Sequence, residues 1–101
     1  MHKYELMYIT RPELDEEKLN GTREKVQGHI TQNKGEVIEQ EHFGKRRLAY
    51  LVNDLREGVY TVATFHGDTD TVNELDRQLK LNDDVIRHMI INIDDKPEKK
   101  S

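Results

Sequence analysis

This sequence predicts an α+β fold: a four-stranded antiparallel sheet with two helices on one face. Two segments carry helical apolar spacing, and four carry the alternation of strands. Their order along the chain is β-α-β-β-α-β. Each helix has a single apolar stripe, so two of them cover only one side of a sheet. Right-handed crossovers in both β-α-β halves then give the split, ferredoxin-like arrangement with strand order four-one-three-two.

Residues Lys3 to Thr10 alternate, with Leu6 and Tyr8 on one face and Met7 and Ile9 on the other. Pro12 ends this strand. Asp15 is a predicted N-cap, with Glu16 and Glu17 in the first turn where the helix dipole favours anions. Leu14 and Leu19 have the spacing of a hydrophobic staple, and Leu19, Val26 and Ile30 continue the stripe. Asn33, Lys34 and Gly35 form the C-terminal stop. Val37 opens a second strand that passes Gly44, an expected bulge, into Leu48, Tyr50 and Val52. "NDLREG" reads as a turn hinged at Gly58, and the β-prone run from Val59 to Phe65 follows it. A second helix starts near Asp68 to Asp70 with the stripe Val72, Leu75 and Leu79. Val85 to Ile93 is the last strand.

The chain has 101 residues, which makes one domain, placed at 1–93; the charged stretch 94–101, "DDKPEKKS", is expected to be a disordered tail. Cysteine is absent, which removes disulfides and thiolate metal sites and fits a reducing compartment. No apolar run approaches the ~18 residues of a membrane span, and "MHKYELMYIT" lacks a signal-peptide core. A soluble, intracellular-type protein is expected. Net charge is −4 although 36% of residues are charged, so a globally basic nucleic-acid binder is excluded. A local basic patch is not, because screening over roughly 10 Å separates it from distant acids.

Parity predicts which side chains remain on the uncovered face. Leu6, Tyr8, Thr61, Ala63, Phe65, Ile86 and Ile90 are expected toward the helices. Met7, Ile9, Tyr60, Val62, Met89 and Ile91 then point outward. With only 34% hydrophobic residues, that outward set is a large apolar commitment and reads as a partner-binding surface.

Chemistry-bearing clusters are scarce. The histidines at 2, 29, 42, 66 and 88 have no metal-ligand spacing, and His88 shares the core parity of Ile90. Carboxylates gather at helix starts, where capping explains them. No Gly-rich phosphate loop, G-x-S-x-G elbow or cysteine nucleophile is present, and Arg11 is surrounded by acids. Catalysis, cofactors, metals and small-molecule substrates are therefore not expected. The remaining feature is the basic run Lys45, Arg46 and Arg47 in "HFGKRRLAYLV". Arg46 and Arg47 point to opposite faces unless a bulge near Gly44 redirects one. His2 and Lys3 on the first strand, and Arg87 on the last, complete the candidate RNA-binding set. Pairing of those strands is expected to bring Lys3 near Arg87, offering cations to phosphates. Tyr60 and Tyr50 alone are candidates for base stacking, a weak platform for single strands.

"GKRRLAYLV", with "KYELMYI" near the start, Gly58-Val59-Tyr60 and "NDDVIRHMII" near the end, resembles the family of the sixth protein of the bacterial small ribosomal subunit. The resemblance runs from Lys3 to about Ile93; Val52 stands where the family motif usually ends in isoleucine. It implies a ferredoxin-like, non-catalytic protein of the cytoplasmic ribosome. It also implies binding to 16S ribosomal RNA in the central domain, as a heterodimer with the eighteenth small-subunit protein. By motif match, Lys45, Arg46 and Arg47 are the family's basic signature. The alternative from composition and pattern alone is a homodimeric regulatory or ligand-binding module.

Overall fold

The computed structural model describes residues 1–52 and 55–94, with backbone only at 49–52 and 55. The elements are β1 (His2–Thr10), α1 (Glu16–Gln32), β2 (Glu36–Val52), β3 (Leu55–Gly67), α2 (Thr69–Leu81) and β4 (Val85–Asn92). The strands form one sheet in the order β2-β3-β1-β4, antiparallel throughout. The expected order and topology are those observed. Of the expected tail 94–101, Asp94 is described and is bonded to β1; residues 95–101, residues 53–54 of the expected turn and the Tyr50 side chain lie outside the described residues.

Helix α1 begins at its expected cap, Asp15, and α2 begins within the expected 68–70. Asp15 Oδ1 accepts the Lys18 N–H at 2.8 Å, satisfying a first-turn donor that has no partner within the helix. At α2 the Thr71 hydroxyl accepts the Asp68 N–H at 3.1 Å and donates to the Asn33 carbonyl at 2.7 Å, tying the end of α1 to the start of α2. Asn33 donates its side-chain amide to the His29 carbonyl at 2.7 Å and so closes α1. Lys34, rather than Gly35, takes the left-handed conformation there, at φ 66°.

The core lies between the helices and one sheet face. Tyr4, Leu6 and Tyr8 of β1 and Ala63 and Phe65 of β3 meet Val26 and Ile30 of α1 and Leu75 and Leu79 of α2. Burying each large side chain contributes roughly 1.5–3 kcal/mol, so the eight such residues beside Ala63 are the main cohesion of a small domain. Tyr4 and Phe65 stack with centroids 5.5 Å apart.

Two details of β4 and β3 depart from simple alternation. The β1–β4 register shifts between Ile9 and Thr10, so Val85 packs against the core where parity had placed Ile86. Ile86 instead turns to the other face beside Ile9: a Cβ built on Gly58 would lie 3.5 Å from Ile86 Cδ1 and collide with Ile9 Cγ2. Gly58 is thus no turn hinge. It is a buried residue within β3, paired with Arg46, and glycine is required because β1 and its side chains approach so closely.

Candidate protein and nucleic-acid interface

The helix-free face is built from rows of cross-strand neighbours, running from β2 through β3 and β1 to β4. One row is Glu39–Thr64–Glu5–Ile91, the next Glu41–Val62–Met7–Met89, and the next Gly44–Tyr60–Ile9–Arg87. The face is therefore zoned. Glu39 and Glu41 border it on β2, and Glu5 of β1 lies in the end row with Thr64 and Ile91. Apolar side chains fill the centre and the β4 side, and arginines begin at its far end. Met89 is 50% exposed and Ile91 38%, while Met7, Tyr60 and Val62 are half-buried. Ile9 lies on this face yet is buried, covered by its own chain near Gly58 and Ile86. The centre of this face thus leaves apolar side chains that neither helix covers.

The hairpin of β2 and β3 extends past the end of β1, because β1 pairs with β3 only as far as Val59. This projecting arm carries the basic run. Gly44 adopts φ 76° at a register shift, which is the expected bulge. The ladder then continues regularly, with Lys45 opposite Val59, Arg46 opposite Gly58 and Arg47 opposite Glu57. The bulge therefore precedes the three cations and leaves Arg46 and Arg47 on opposite sides. Arg46 joins the open face near Tyr60, while Lys45 and Arg47 point to the helix side. Alternation along β3 brings Arg56, also exposed, to the side of Arg46. Arg56 escaped the sequence reading because "NDLREG" looks like a turn, whereas β3 already begins at Leu55.

The expected meeting of Lys3 with Arg87 does not occur. Arg87 pairs with Ile9, and Lys3 bonds to Ile93 through its carbonyl at 2.9 Å, so six residues of strand, about 20 Å, separate them. Antiparallel neighbours meet only where the register allows, and here it matches the start of β1 to the end of β4. His2 and the Lys3 backbone instead join the start of β1 to Asp94, just past the end of β4. Asp94 accepts from the Lys3 N–H at 2.5 Å and pairs with His2 Nδ1 at 2.7 Å. These bonds, the backbone one first, hold the Asp94 carboxyl below its ordinary value. Arg11 is structural too, donating Nε to the Asp83 carbonyl at 2.8 Å.

The histidines are dispersed. His88 occupies the helix side as its parity predicts, with Nε2 2.6 Å from Asp76 Oδ1 and Lys80 2.9 Å from the other carboxylate oxygen. Among the described residues, no three His, Asp or Glu side chains converge as a metal site. No described helix is long and apolar enough to cross a membrane.

The sequence profile of the family "Ribosomal protein S6" matches residues 3–92. The crystal structure of 30S ribosomal protein S6 from Thermotoga maritima is similar to this chain with a TM-score of 0.86 and 30% identity, covering 90% of this chain and 86% of that one. Profile, fold and the basic motif on the arm agree: the chain belongs to the ribosomal protein S6 family, non-catalytic structural proteins of the small ribosomal subunit.

Proposed function

We propose that the chain binds 16S ribosomal RNA in the central domain, or platform, of the small subunit as a heterodimer with the eighteenth small-subunit protein. Met7, Ile9, Tyr60, Val62, Met89 and Ile91 form the partner contact, with Ile9 backing it from beneath. The observation that carries this reading is the apolar centre of a sheet face that neither helix covers. The bordering glutamates favour a cationic partner, and a chain of net charge −4 joins RNA when a basic partner shares the electrostatic work.

Lys45, Arg46, Arg47 and Arg87 supply phosphate contacts at the arm end of the molecule. His2 and Lys3 belong to a separate contact at the opposite end. Such contacts fix position on folded RNA and leave base reading to other groups.

Sedimentation of the purified chain, alone and with the eighteenth protein plus a platform RNA fragment, tests the reading. A ternary complex that weakens steeply as salt rises supports it. A salt-insensitive homodimer that ignores both partners rejects it. Replacing Arg46 and Arg87 with Ala lowers RNA affinity and reduces the salt slope by about one for each phosphate no longer neutralised. Unchanged binding removes the two arginines from the site.

A further inference from the structure

We propose that Arg23, His42 and Lys45 form a phosphate-binding site on the helix side of the β2 edge, receiving an RNA backbone phosphate away from the open face. The inference rests on the RNA-binding reading above and adds a second, opposite-facing contact. Its basis is the β2–β3 ladder. His42 lies opposite Thr61 and Lys45 opposite Val59, both on the helix side. Two residues along β3 separate those positions, about 7 Å. Arg23 of α1 reaches the same place, with Nε 3.5 Å from Thr61 Oγ1.

Arg23's bonds go to neutral oxygens at long distances, Thr61 Oγ1 and, at 3.4 Å, Asn20 Oδ1. Among the described residues no carboxylate pairs with it. Partial desolvation, and then the Arg23 charge, hold the His42 imidazole below its ordinary pKa. The Arg23 charge thus disfavours protonation of His42, and a bound anion would reverse that preference. Further donors adjoin the site. Gln40 Nε2, one row away opposite Ala63, is buried without a well-formed hydrogen bond, as is the hydroxyl of Tyr8, the β1 neighbour of Thr61. A phosphodiester offers what this place lacks: negative charge and several acceptor oxygens. Arg47, on the same side, faces Glu57 across the ladder and is left out.

The test uses the full chain with the eighteenth protein and a platform RNA fragment, comparing wild type, Arg23→Gln and Lys45→Gln between about 50 and 200 mM salt. Each variant is expected to lower the salt slope by about one and to leave RNA-free partner binding unchanged. NMR titration should show the His42 pKa rising when RNA binds wild type, and a smaller rise in Arg23→Gln. If Arg23→Gln fails to fold, the His42 titration decides: a His42 pKa that does not move when RNA binds wild type or the exposed Lys45→Gln variant overturns the site. Wild-type affinity, slope and His42 response in both variants overturn the site while leaving RNA binding intact. Failure of wild type to bind RNA overturns the broader reading instead. In that event inorganic phosphate is the probe: a rise in the His42 pKa that Arg23→Gln abolishes supports an anion site, and no response rejects it.

Discussion

Met89→Asp separates the two faces of the sheet. Met89 stands opposite Met7 on the open face, and the next pair along the same two strands, Leu6 and Ile90, faces the helices. Met89 is already 50% exposed. The stabilisation at risk is therefore about half of what full burial contributes, roughly 1 kcal/mol. For a domain this size that moves Tm by about 4–8 °C. Leu6 is fully buried, and Leu6→Ala removes about 2–5 kcal/mol through forfeited transfer energy and a cavity. In the heterodimer the order reverses. A carboxylate placed in the apolar centre of the interface sheds its water without a matched donor, costing at least ~3 kcal/mol, or about 100-fold in Kd. Thermal melts of the isolated variants and sedimentation with the eighteenth protein read the two effects separately. A Met89→Asp variant that melts as low as Leu6→Ala, or that binds the partner like wild type, refutes this assignment of faces.

Gly58→Ala inserts a Cβ that collides with Ile9 Cγ2 and sits 3.3 Å from the Thr10 carbonyl, so urea denaturation should show a loss of about 1–3 kcal/mol. Asp76 has its pKa lowered by the His88 hydrogen bond and then by Lys80, which gives stability present above the unfolded carboxylate value and lost as pH falls through the lower folded one. Urea midpoints of wild type and Asp76→Asn should therefore differ at neutral pH and converge in strong acid; a constant gap contradicts that linkage. Tyr8→Phe removes a buried hydroxyl that makes no well-formed hydrogen bond, and its denaturation midpoint should stay level or rise.

Element types, strand order and most of the core were legible because periodicity reports directly on burial. Val26, Ile30, Leu75 and Leu79 repeat at helical spacing, and Leu6, Tyr8, Ala63 and Phe65 alternate. The cap at Asp15 and the start of α2 near Asp68 followed from local chemistry. Register was not legible. Two adjacent strands can slide past each other without changing their composition, and only the structure shows that β4 pairs Arg87 with Ile9 rather than bringing it to Lys3. The same is true of bulges. A one-residue shift exchanged the faces of Val85 and Ile86, and Gly58 looked like a turn until its closeness to Ile9 was visible. Arg23 was hidden for another reason: it lies on α1, far in sequence from His42, and only packing brings the two together.

The central claim is that the helix-free face of the sheet is covered by another macromolecule in the assembled subunit. Methionine oxidation footprinting tests this most directly, since Met89 is 50% exposed in the isolated chain, and an added methionine-containing reference peptide calibrates reagent dose. The predicted result is ready oxidation of Met89 in the free protein and strong protection in small subunits. Equal oxidation of Met89 in both states would contradict it.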